Sequence, residues 1–221
     1  MHRGSVIAFL LATVIALQAI GESIPLPEPR TEGTISVEEA IASRRSRRNF
    51  EAEPPSLWQV GQLLWAAQGI TGHIGTKELR AAPSAGALYP LTIYVFAFSV
   101  ANLEPGIYAY LPETHSLEVY REEISLSAVE FARVNVYEAP VVFVFTGDYD
   151  WMRRKYPEHA ESHTHIEVGH AGQNLYLQAE VLGLGTVITG HFLRGDQWPE
   201  SIRLPDNHTP IAIMPLGYTS D

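Results

Sequence analysis

The sequence predicts an α+β domain, and three observations carry that prediction. Residues 91–98 and 141–146 are β-branched and aromatic runs too apolar for exposed strands, so they belong in the middle of a sheet covered by helices. Helix-like segments alternate with such runs and no internal repeat is detectable. Beyond a distinct N-terminal segment, about 200 residues remain, enough for one substantial core and short of two typical domains.

The first 21 residues read as a unit of their own. Arg3 precedes an apolar run at 6–20, and Ala19 and Gly21 supply the small residues of a cleavage site. The run is shorter than the roughly 20 residues of a spanning helix, which suits a secretory signal peptide; an uncleaved anchor is the alternative. In both cases the cation before the run and the acids after it put the rest of the chain outside the cytoplasm, secreted or membrane-anchored. Residues 22–34, polar and proline-rich, read as a linker, and 35–221 as the domain.

Ser36 and Glu39 form a capping-box pattern that opens a helix, and Ser43-Arg44-Arg45-Ser46-Arg47-Arg48 closes it. On a helix, Arg44 and Arg48 would share a face, where two guanidinium forks could grip a phosphate. Cations in a last helical turn also complement the macrodipole with no ligand at all. Residues 56–69 begin Ser-x-x-Gln and put Val60, Leu63, Leu64 and Ala67 on one face, a core helix.

Residues 82–90 read Ala-Pro-Ser-Ala-Gly-Ala-Leu-Tyr-Pro. Ser84, Ala85, Gly86 and Ala87 carry little side chain, so backbone there can approach a flat ligand, with Pro83 and Pro90 stiffening the ends. Without a ligand the same residues make an ordinary tight turn. A hairpin is expected from 106–111 and 116–121, a long buried helix at 162–182 and a last inner strand at 210–216. Gly183-Leu184-Gly185-Thr186-Val187-Ile188-Thr189-Gly190 leaves a helix for a strand and is not a dinucleotide fingerprint, because Ile188 stands where the third glycine belongs. The amides of Thr189 and Gly190 could donate to a heterocycle.

Net charge is −10 and cysteine is absent. Nucleic acid and acidic membranes are poor partners for such a chain, and neither disulfide nor thiolate chemistry is available. Crowded histidines, His159, His163, His165 and His170, with Glu161 and Glu167 nearby, raise zinc binding as an alternative, but His165 and His170 would face differently on a helix, and no metal ligand is assigned. A hydrolase built on Ser84 is a second alternative; its nucleophile elbow would need glycine where Ala82 stands. A binding protein without catalysis is the third.

Taken in order, the arginine/serine segment, the Pro-Ser-Ala-Gly turn and the Val-Ile-Thr-Gly strand end resemble the nitroreductase superfamily of FMN-dependent oxidoreductases, from about residue 36 to 218. Ala-Pro-Ser-Ala-Gly-x-Leu-Tyr-Pro, and Ile166-Glu167-Val168-Gly169-His170-Ala171-Gly172-Gln173-Asn174 in the long helix, resemble its SagB-type dehydrogenase branch. The resemblance implies a central, mostly antiparallel sheet flanked by helices, in a homodimer with two flavins at the subunit interface. It implies that Arg44, Arg45, Ser46 and Arg48 bind the FMN phosphate and ribityl chain, that Pro83, Ser84, Ala85 and Gly86 lie along the ring, and that the Thr189 and Gly190 amides meet flavin N5 and O4. Lys155-Tyr156 matches the pair that, in azoline oxidases of that branch, removes a proton while N5 takes a hydride. The partners implied are a small-molecule substrate and an electron donor such as NADH or NADPH. Read without the family, Arg153-Arg154-Lys155 is a solvated basic run.

Overall fold

The structure is a computed structural model that describes residues 23–120, 138–190 and 204–220. The expected leader at 1–21 lies outside them. In chain order the elements are β1 Ser23–Pro25, α1 Val37–Ser43, α2 Leu57–Gln68, β2 Ile70–Ile74, β3 Lys77–Arg80, a 3₁₀ turn at Ala85–Ala87, β4 Leu91–Ala97, β5 Gly106–Leu111, β6 Ser116–Val119, β7 Val141–Gly147, α3 Tyr149–Arg153, α4 Ala160–Val181, β8 Gly185–Thr186 and β9 Thr209–Gly217.

Seven strands form one sheet in the order β1-β6-β5-β4-β7-β9-β8, every neighbouring pair antiparallel. The two apolar runs are its centre: Leu91 pairs with Gly147 and Ala97 with Val141. Alternation along the strands divides the core in two. Ile93, Val95, Phe143 and Phe145 face α2 and α4, whereas Tyr94, Phe96, Val142 and Val144 pack on the other side with Ile107 and Ile213. Each fully buried Leu or Phe in these layers contributes roughly 2 kcal/mol or more.

The capping box of α2 is formed: Ser56 Oγ accepts from the Gln59 amide, and Gln59 reaches back to the Ser56 amide. Its inward face, Val60, Leu63, Leu64 and Ala67, is fully buried. The central helix α4 runs 22 residues and is buried along one side by Val168, Ala171, Leu175 and Ala179.

Two features differ from the sequence expectation. Residues 23–25, read as linker, are an edge strand on β6, and the stretch after them is tied down: Leu26 is buried, and Arg30 exchanges hydrogen bonds with Gln62 and stacks on Trp58. The helix at Val37–Ser43 ends before the arginines, because Arg44 turns extended at φ −51°, ψ 124° and Ser46 forms a parallel bridge to Thr186. Arg44 and Arg48 therefore do not share a helical face; they share one side of an extended segment through its two-residue alternation.

Candidate functional site

Side chains expected at the site fall into two clusters. The first gathers on Tyr176 of α4. The Arg44 guanidinium stacks over its ring at 5.0 Å, Ser46 Oγ lies 3.3 Å from its hydroxyl, and the Ile188 amide donates to that hydroxyl at 2.8 Å. Arg48 reaches back to the Ser46 carbonyl. Arg44 and Arg48 have no acidic partner among the described residues, whereas Arg47 pairs with Glu180, one turn beyond Tyr176 on α4, at 3.6 Å. Arg45 is not part of this cluster: its guanidinium folds onto the Ala42 and Arg44 carbonyls at the end of α1.

Gly172 lets Ile188 pack closely on α4, since a β-carbon there would lie 3.0 Å from Ile188 Cδ1. Beyond Ile188 the backbone is partly committed. The Thr189 amide donates to the Ile213 carbonyl at 3.0 Å in a bridge to β9. That leaves the Gly190 amide, exposed, as the strand-end donor with no backbone partner among the described residues.

The second cluster is the platform turn. Gly86, Ala87 and Tyr89 all take left-handed φ, at 64°, 54° and 48°, and two of the three are not glycine. Such backbone persists only where its surroundings hold it. Here Ser84 does much of the holding: its Oγ accepts from the Tyr89 amide at 2.9 Å and its carbonyl from the Ala87 amide at 3.1 Å. Trp151 Nε1 adds a bond to the Leu88 carbonyl at 2.8 Å.

Lys155 and Tyr156 meet this turn. Asp148 caps α3 by accepting from the Trp151 amide, Met152 is fully buried, and both following amides return to the Met152 carbonyl. That geometry aims the pair at Gly86: a β-carbon on Gly86 would lie 2.5 Å from Lys155 Nζ and 2.9 Å from the Tyr156 hydroxyl. All three residues of the basic run are solvent-exposed, but Lys155 Nζ lies over Gly86 whereas Arg153 pairs with Asp150 and Glu161. The edge of the Tyr156 ring packs against His163 of α4, with ring centres 4.8 Å apart.

Beneath the turn lies Glu167, 1% exposed, a residue the sequence offered as part of a helix motif and as a carboxylate near the crowded histidines. Gln68 Nε2 donates to its Oε1 at 3.2 Å. Burial pushes its carboxyl up to about 7, against the opposing pull of the Ser84 hydroxyl, the Gln68 amide and the Arg80 cation.

The two clusters occupy different flanks of α4. Glu167 and Tyr176 are nine residues apart, and at about 100° per residue they project half a turn out of phase. One chain therefore holds the arginine/serine cluster on one side of its central helix and the platform turn on the other. As to the alternatives, Ser84 has no histidine partner among the described residues, His165 bonds to Tyr149, and no three acidic or histidine side chains converge as metal ligands among those residues.

Comparison with known proteins bears on this arrangement. Residues 41–218 match the nitroreductase family. MJ1384 of Methanocaldococcus jannaschii, a nitroreductase by name, is 35% identical over 203 residues, covering 90% of this chain and 98% of its own. A crystal structure from Ralstonia eutropha, likewise named a nitroreductase, is 28% identical and superposes with a TM-score of 0.73 over 93% of each chain. Two further structures share the fold. One is the Escherichia coli microcin synthetase McbBCD complex with truncated pro-MccB17 bound, at 22% identity and TM-score 0.66 over 99% of this chain and 85% of that one. The other is the Vibrio harveyi NADPH:FMN oxidoreductase complexed with NAD+, at 23% and 0.56 over 84% and 69%. From the family match, the MJ1384 identity and the shared antiparallel sheet, the chain belongs to the nitroreductase family of oxidoreductases.

Proposed function

We propose that the protein is an FMN-dependent oxidoreductase of the SagB-type branch, acting on a small organic substrate whose oxidation needs a proton removed. The observation that carries this reading is the convergence of Lys155 Nζ and the Tyr156 hydroxyl on the bare face of Gly86.

The residues present fit the cofactor. Arg44 and Arg48, without acidic partners among the described residues, and the Ser46 hydroxyl offer a phosphate and ribityl chain what an anion requires, charged forks beside a neutral donor. The turn at 83–86 offers a flat ring a surface almost free of side chains, and the exposed Gly190 amide is a donor available at the strand end beyond Ile188. When bound, FMN supplies hydride transfer through its N5 position. The protein's own part is placement: Arg44, Ser46 and Arg48 fix one end, the turn fixes the plane, and Lys155 with Tyr156 takes the substrate proton at the ring face.

The half-turn offset between the clusters supports a homodimer in which each site draws its phosphate end from one subunit and its platform from the other. Ile166 of α4 and Ile188 are 55% and 36% exposed, apolar surface that a second copy would cover. The Vibrio harveyi neighbour is an NADPH:FMN oxidoreductase complexed with NAD+, which supports a nicotinamide as the second redox partner here; with a substrate that gives up hydride, it would take that hydride from the reduced flavin as NAD+ or NADP+. An azoline-type substrate follows from the resemblance of Lys155-Tyr156 to the SagB-type pair. An extracytoplasmic location belongs to the same proposal and rests on residues 1–21; a full-length protein with Met1 intact in a cytosolic fraction would refute it.

The test is reconstitution. Purified protein incubated with FMN should show oxidised flavin bands, and thiazoline peptides should bleach them in wild type but not in Lys155→Ala or Tyr156→Phe. Mixed dimers of Arg44→Ala/Arg48→Ala chains with Lys155→Ala chains should regain one working site in two. A preparation that stays colourless with excess FMN defeats the proposal.

A further inference from the structure

This inference rests on the reading of residues 83–86 as a ligand platform and concerns what lies behind it. Five residues from α2, β3, the turn and α4 form a ring. Arg80 Nη1 donates to Gln68 Oε1 at 3.4 Å, and Gln68 Nε2 donates to Glu167 Oε1 at 3.2 Å. The Glu167 carboxyl faces the Ser84 hydroxyl, whose oxygen accepts from the Tyr89 amide at 2.9 Å. The Arg80 amide returns to the Tyr89 hydroxyl at 3.2 Å, and the Arg80 guanidinium stacks on the same ring at 4.8 Å. One joint is open. Glu167 Oε2 is buried and has no direct hydrogen bond, although the Ser84 hydroxyl is near enough to favour its charged form.

The open joint has two chemical states, because a serine hydroxyl has one proton and two lone pairs. The Tyr89 amide occupies one lone pair. An ionised Glu167 only accepts, so it draws the Ser84 proton toward itself. A neutral Glu167 donates instead, and Gln68, by donating to Oε1, leaves Oε2 as the oxygen that carries the proton. The second lone pair of Ser84 then takes that bond, and the Ser84 proton is free to turn toward whatever lies on the platform.

We propose that Glu167 is a positioning residue whose protonation decides whether the Ser84 hydroxyl donates to a ligand on the platform or back into the protein. Among the described residues, the charge facing it is Arg80 from β3, itself paired with Glu113 at 2.9 Å; α2 brings the Gln68 amide and the turn the Ser84 hydroxyl. On α4 its titratable neighbours are His163, one turn before it, and His170, one turn after. Because burial outweighs those pulls, both forms of Glu167 are populated around neutral pH.

Two measurements test this. In flavin-free protein labelled with ¹³C-glutamate, the carboxyl signal missing from Glu167→Gln should titrate near pH 7, and the Ser84 and Tyr89 amide shifts should follow the same curve. In Glu167→Gln, Gln68 would hold the new carbonyl as acceptor and leave a permanent donor at Ser84. The FMN dissociation constants of wild type and Glu167→Gln should therefore agree at pH 6 and differ by about fivefold at pH 8, wild type being the weaker, because one hydrogen bond is worth about tenfold and about a tenth of Glu167 is still neutral there. Ser84→Ala should be weak at both. A Glu167 midpoint in the ordinary carboxylate range, amide shifts that ignore it, or equal FMN affinities at pH 8 would overturn the proposal. If the carboxyl and amides titrate together but FMN binds no variant, the switch stands and the flavin assignment falls.

Discussion

The Ile188 amide donates to the Tyr176 hydroxyl at 2.8 Å, so the strand that leaves α4 is pinned to that same helix. The same hydroxyl bonds to Ser46 Oγ, 3.3 Å away, a pair in which either oxygen can donate. One phenol thus joins the arginine/serine segment to the strand end. Tyr176→Phe removes both bonds and leaves a half-buried amide unsatisfied, at a cost of about 1–3 kcal/mol. The variant should melt several degrees below wild type and bind FMN more weakly, which calorimetry and a flavin-fluorescence titration would check.

Gly86 is irreplaceable for two separable reasons. Its φ of 64° disfavours any side chain, and a methyl group would meet Lys155 Nζ at 2.5 Å. Gly86→Ala should destabilise the fold by about 1 kcal/mol from the backbone alone. It should also abolish substrate oxidation by displacing the lysine. Shortening the lysine as well, in Gly86→Ala/Lys155→Ala, should restore part of the lost stability and none of the activity.

Stability should fall as pH rises through neutrality, and Glu167 is the cause. Its carboxyl titrates at 4.5 when exposed and at about 7 in the fold, so the folded state binds the extra proton between those values. The stabilisation is complete below about pH 4.5, declines to pH 7 and levels off above, a loss of roughly 3 kcal/mol. Glu167→Gln should lack that slope. Urea denaturation of both proteins at several pH values isolates the effect, because His115 and His208, whose depressed titrations act in the opposite direction, are common to the two.

Arg44→Ala and Arg48→Ala should each weaken FMN binding by about tenfold or more, as expected for a lost charge-assisted bond to phosphate. Arg45→Ala, whose guanidinium is occupied by the carbonyls ending α1, should change it little. Equilibrium dialysis at low and moderate salt distinguishes the three.

Much of the fold was legible because burial writes itself into local pattern. The β4 and β7 runs, the Ser56 cap and the length of α4 needed no tertiary knowledge. The β2–β3 hairpin was not legible: its strands are half exposed and carry Gly72, His73, Lys77 and Glu78 where alternation would be sought. Arg80, which β3 delivers to Glu167, was hidden with it. Ser43 to Arg48 misled because a helix cap and an extended basic segment have the same composition; the bridge from Ser46 to Thr186, 140 residues away, decides between them. Glu167 carried a signal of another kind, a carboxylate next to Val168 and one turn from Ala171 on the buried side of the helix, which points to buried polar chemistry without naming its partners.

Both borders of the main sheet are brief. At one end β1 offers three residues, one of them Pro25, which has no amide to donate; at the other β8 offers two, with Ser46 already bridged to Thr186. Among the described residues few free peptide groups remain at either edge to recruit another strand, so this sheet offers copies of the protein little means of joining into continuous ribbons.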